Sequence, residues 1–103
     1  MKQRLEAFDC INKQRLILLE LLDERKLSNG ELSRFSGLRL ANTIYHLEVL
    51  DEAGLIERSL EQKRNVYRLA KRKTRGIYRW YLTQPGQEAL KYFPESRKGR
   101  ALL

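Results

Sequence analysis

Gly37 divides two stretches of helical spacing that are each too short to hold together alone, and Gly54 hands the second to β-type residues rich in Lys and Arg. Residues 31–38 read as a short helix and tight turn, residues 40–53 as a second helix, and the segment that follows as a charged β-hairpin. Helices this short must pack on each other and on the hairpin. The fold class this requires is mainly α with a small antiparallel β-sheet, α+β, around one core.

A chain of 103 residues fits one small domain. Residues 1–94 are expected to form it, with 95–103 as a flexible basic tail. The formal net charge is +8, and its placement says more than its size. Residues 1–57 carry eight Lys/Arg against ten Asp/Glu, whereas residues 58–103 carry thirteen against three. Cations gathered in a β-rich segment point to a polyanion partner. A membrane surface fits less well than nucleic acid, because the basic stretch lacks the apolar helical face that would hold it in a bilayer.

Cys10 is the single cysteine and His46 the single histidine, so neither an intrachain disulfide nor a Cys/His metal site is expected. No apolar run is long enough for a membrane span, and a cytoplasmic protein is the expectation. No phosphate-cradling glycine loop or nucleophile–base pattern is present, and Asp23, Glu24, Asp51 and Glu52 read as solvated helix ends. The expectation is a non-enzyme with no catalytic residues, no metal and no cofactor.

Along the chain, Ile11, Leu18, Leu19 and Leu22 recur at helical spacing over residues 9–25, with Asp9 as the expected N-cap. Leu16, Ile17 and Leu21 widen that apolar surface, and Leu5 and Phe8 lie upstream. A helix apolar on more than one side must be covered on more than one side, by its own core and by a second copy of the chain, or else by deep burial in one domain. Ser28 and Glu31 have the spacing of a capping box, with Leu32 and Phe35 expected to face inward and Gly37 to end the helix. In the next helix Leu40, Ile44, Leu47 and Leu50 mark the buried stripe, with Thr43 at its border. Ala41, Asn42, Tyr45, Glu48 and Val49 occupy the other face. Segments 55–60, 65–69 and 77–83 read as a three-stranded meander, with a single long hairpin as the alternative. Thr83 and Pro85 open a last helix that Pro94 stops.

The stretch from His46 to Arg58 resembles the end of the recognition helix and the start of the wing in transcription regulators of the ArsR and MarR type. Tyr81 to Leu90 resembles their wing exit and following helix. In order, the motifs cover the region from Leu27 to Phe93. The resemblance implies a winged helix-turn-helix, here with an extended basic wing, because residues 54–83 exceed a simple MarR-like wing. The Cys/His clusters of metal-sensing members are absent, and no effector site is carried over.

A helix in the major groove offers bases the outward side chains near its amino end, and amides and arginines suit base edges because they bond two atoms at once. Arg39, Asn42 and Tyr45 are the candidates, with Thr43 and His46 at the border. Each has a plainer alternative: Asn42 as a solvated helix residue, Tyr45 packed sideways, His46 at the helix-to-core boundary. In the wing, Lys63, Arg64, Arg68, Lys71, Arg72, Lys73, Arg75 and Arg79 are candidates for phosphate or minor-groove contact. Trp80 is expected in the core, while Tyr67, Tyr78 and Tyr81 are open to stacking on unpaired bases.

These readings converge on a sequence-specific regulator of transcription that binds double-stranded DNA and acts as a repressor. It is expected to be a homodimer through the N-terminal helix, with the C-terminal helix as a further candidate contact. The helix at about 40–53 would lie in the major groove and the wing at about 58–79 on the backbone or minor groove. The alternatives are a non-specific nucleic-acid organiser or single-strand binder, and a winged-helix protein-interaction module.

Overall fold

The structure is a computed structural model that describes residues 8–62 and 76–93. Among the described residues, four helices and a two-stranded antiparallel sheet follow in the order α1 (Lys13–Glu24), α2 (Asn29–Ser36), α3 (Leu40–Glu52), β1 (Ile56–Gln62), β2 (Gly76–Leu82) and α4 (Gln84–Tyr92). The fold is a winged helix of the α+β class.

The first helix begins later than its apolar spacing predicts. Asn12, not Asp9, is the N-cap, its side chain accepting from the Arg15 N–H at 2.9 Å. The reason lies upstream: Ile11 N–H bonds the Phe8 carbonyl at 3.0 Å, and this turn directs Phe8 into the core, where its ring meets those of Tyr92 and Phe93. Leu16, Leu18, Leu19 and Leu22 are buried, so α1 is covered over a wide arc by the domain itself.

The capping box at the start of α2 forms as its spacing predicts, with Ser28 Oγ accepting from Glu31 N–H at 3.2 Å and Glu31 Oε1 from Ser28 N–H at 3.1 Å. Gly37 ends the helix at φ 76°, a left-handed conformation that costs glycine little. Ser33 and Ser36 then tie the turn through bonds to the carbonyl and N–H of Leu38. Leu32 is buried, but Phe35 is not the inward residue expected. It is 44% exposed, and the guanidinium of Arg25 lies 5.3 Å from its ring centroid.

The buried face of α3 is Thr43, Leu47 and Leu50. Leu40, expected to begin that stripe, is 50% exposed because it sits in the first turn, ahead of the level at which the core closes. Thr43 takes its place, and its hydroxyl donates to the Arg39 carbonyl at 3.0 Å, so the group is satisfied without water. At the other end Leu55 N–H reaches back to the Leu50 carbonyl around Gly54, whose φ is 78°, a Schellman-type ending that points the chain into β1.

Strands β1 and β2 pair directly, from Ile56 opposite Leu82 to Gln62 opposite Gly76. A meander would have placed residues 65–69 between them. β1 and β2 are instead direct neighbours, and the strand expected at 65–69 lies outside the described residues. Leu27, in the link before α2, exchanges two backbone hydrogen bonds with Trp80 and lengthens the sheet by one residue on the far side of β2. Thr83 caps α4 by accepting from Gly86 N–H, while its own hydroxyl donates to the Gly54 carbonyl at 2.6 Å. The two junctions, α3 to β1 and β2 to α4, are thereby fastened together.

Candidate nucleic-acid interface

The α2 capping box, the Gly37 turn and the Thr43–Leu50 face lock α2 and α3 into one unit, which leaves the opposite side of α3 to solvent. Arg39 is the N-cap residue of α3, Asn42 lies in its first turn, and Tyr45, 58% exposed, lies one turn on. These three sequence candidates stand together at the amino end of the helix. Thr43 does not join them. It is fully buried, so the side chain placed at the border of the reading face is a core residue.

His46 sits at the helix-to-core boundary. Its Nδ1 accepts from Arg15 Nε at 3.1 Å, which requires a neutral imidazole with its proton on Nε2. Burial, and then the neighbouring Arg15 charge, holds its pKa below the ordinary 6.5.

Of the wing candidates, Lys63, Arg64, Arg68, Lys71, Arg72, Lys73 and Arg75 lie outside the described residues. Arg79 is described, and its Nε lies 3.6 Å from Glu31 Oε1. This pair joins the wing to α2. The same carboxyl is held below the usual carboxylate range, first by the Ser28 N–H it accepts, with smaller help from the Ser28 hydroxyl, Arg79 and Arg25. Trp80 is buried as expected, and its Nε1 donates to Asn29 Oδ1 at 2.6 Å. The root of the wing is thus tied to the start of α2 by the Leu27–Trp80 backbone pair, the Trp80–Asn29 bond and the Glu31–Arg79 pair.

Tyr78 and Leu60 face each other across the hairpin and are both exposed. Arg58, absent from the sequence candidates, stands 5.3 Å from the ring centroids of both Tyr78 and Trp80. Tyr81 lies on the other face, where its hydroxyl donates to Glu57 Oε2 at 2.6 Å, raising the phenol pKa above its ordinary value. Its ring also receives Lys26 Nζ at 5.0 Å. Alternation along β1 and the aromatics Tyr78 and Trp80 on β2 are the signals that could have placed Arg58; nothing local to Arg15 marked it as a neighbour of α3.

Among the described residues, no group of three His, Cys, Asp or Glu side chains could hold a metal ion, and no helix is long and apolar enough to cross a membrane. What the surface offers is an outward helix face, cations and hydrogen-bonding tips beside an antiparallel hairpin. Residues 12–57 match the family described as winged helix-turn-helix DNA-binding. The match runs from the N-cap of α1 to the second residue of β1, and the structure adds the second wing arm and α4. No curated protein and no solved structure matches the chain. The matched segment and the observed architecture agree on one class, a winged helix-turn-helix domain similar to those that bind DNA.

Proposed function

We propose that this protein is a sequence-specific regulator of transcription that binds double-stranded DNA, with α3 in the major groove and the basic wing on the flanking backbone or minor groove. The observation that carries the reading is the exposed amino-terminal face of α3, where Arg39, Asn42 and Tyr45 project from a helix whose opposite side is locked into the core. Such side chains can reach base edges, whereas phosphate contacts alone would orient the protein without reading sequence. The family matched at residues 12–57 and the resemblance to ArsR- and MarR-type regulators support the same reading. With seven Lys/Arg and no Asp/Glu in residues 63–75, the wing supplies the salt-dependent part of the affinity.

The working unit is a homodimer through α1. Ile17 is 37% exposed, and it borders an apolar groove of about 450 Å³ with Ile11, Leu16 and Phe93. Two copies related by a two-fold axis would set their α3 helices in successive major grooves about 34 Å apart. Repression by occlusion of polymerase follows from binding alone and needs no further recruiting surface.

Selection of duplexes from a random DNA pool, followed by footprinting of the best sequence at two salt concentrations, tests the reading. The expected result is an enriched, roughly palindromic site with two protected major-groove stretches. Duplex binding without enrichment would replace it with a non-specific organiser. Absence of binding even at low salt would replace it with a protein-interaction module.

A further inference from the structure

Arg15 belongs to α1, away from the face of α3 assigned to base pairs, yet it stands beside the exposed Tyr45 ring on that face while being anchored elsewhere. Nε donates to His46 Nδ1 at 3.1 Å and Nη1 to the Cys10 carbonyl at 2.6 Å, while Cζ lies 5.8 Å from the Tyr45 ring centroid. The Tyr45 and His46 rings meet edge to face at 5.5 Å between centroids. A guanidinium is a rigid planar fork, so two anchored donors fix its plane. The aromatic ring beside that plane has fewer rotamers open to it than a solvated tyrosine on a bare helix.

We infer that Arg15 is a positioning residue for DNA reading: anchored on His46 and the Cys10 carbonyl, it holds the exposed Tyr45 ring in the orientation offered to the duplex without itself touching DNA. The inference rests on the reading of α3 as the DNA-facing helix. Ordering Tyr45 before the encounter removes part of the entropy loss that binding would otherwise incur. It also fixes which base edge the hydroxyl meets. His46 completes the device, because its Nδ1 accepts only while the ring is neutral, the state that burial and the Arg15 charge favour.

The test compares wild type, Arg15→Met and Arg15→Lys, each also in a Tyr45→Ala background. Three quantities are read: preference for the selected duplex over a scrambled one, dependence of affinity on salt, and the NMR titration of His46. Arg15→Lys keeps the charge and the stem, and so guards against a variant that merely fails to fold. The expected result is a loss of about tenfold in preference for both substitutions, in the range that one base contact controls. The salt slope should stay the same, the loss should vanish in the Tyr45→Ala background, and the His46 midpoint should rise in Arg15→Met. A preference equal to wild type, or a loss that persists undiminished without Tyr45, overturns the positioning role. So does a shallower salt slope, which would make Arg15 a direct phosphate contact. A wild type that selects no duplex fails earlier: it overturns the DNA reading itself, and the role of Arg15 with it.

Discussion

A Cβ on Gly86 would run into the Leu55 carbonyl oxygen and stand 3.2 Å from Leu82 Cδ2, so α4 approaches the start of β1 as closely as it does because that position has no side chain. Gly86→Ala should lower stability by about 1–3 kcal/mol, the usual cost of forcing atoms into a packed site, read as a shift in the midpoint of chemical unfolding. The sequence shows only a glycine in the first turn of a helix, and nothing in its neighbours says that another segment's carbonyl faces it. Thr43 teaches the same lesson in reverse. It and Asn42 are adjacent in the chain and both suit DNA by residue type, yet a helix turns by about 100° per residue, and that step separates a buried side chain from an exposed one. Periodicity places Thr43 at a border; only the packing of Leu47 and Leu50 beside it, and the Arg39 carbonyl that accepts its hydroxyl proton, decide which side it takes. Phe35 goes the other way: its ring stays exposed with the Arg25 guanidinium beside it, a contact between residues whose spacing gives no hint of it.

Elements were more legible than side chains, because caps and turns are local chemistry. The Ser28–Glu31 box, the Gly37 and Gly54 turns and the Thr83 cap could all be read from a few consecutive residues. The start of α1 could not, since Asp9 and Asn12 are both good caps and the choice depends on where Phe8 packs. The pairing of β1 with β2 was equally non-local. Glu31 gives the capping box a pH signature. Its folded-state pKa is depressed below 4.5, so the stabilisation is fully present above the unfolded value and is lost as pH falls through the folded one. The gap in melting temperature between wild type and Glu31→Gln should therefore shrink in acid and stay constant from about pH 6 to 8, well above both values, as thermal melts across that range would show. For α1, Ile17→Glu should leave the fold intact and shift sedimentation equilibrium toward monomer, because the exposed side chain lies on the face assigned to the second copy.

At the scale of the molecule, charge and shape are divided between two parts. The helical half holds the core and an outward face on α3, the root of the hairpin is fastened by Leu27, Trp80, Asn29, Glu31 and Arg79, and the excess of Lys/Arg falls after residue 57. Substituting Lys71, Arg72 and Lys73 by Glu should weaken duplex binding at low salt. The log–log salt slope should become shallower by about 0.9 for each phosphate that the wing no longer neutralises, and the base preference should remain. The division of labour was visible in the sequence as a change in charge after residue 57, but the fastening was not, since its partners come from separate stretches of chain. Sequence reading by α3 is the central claim. Its most direct test is a side-by-side selection from random duplexes by wild type and Asn42→Ala at one fixed salt concentration. Wild type should enrich one site, and the variant should lose preference at a single base pair in each half-site, by about five- to a hundredfold. The same enriched sequence for both proteins would contradict base reading by this helix.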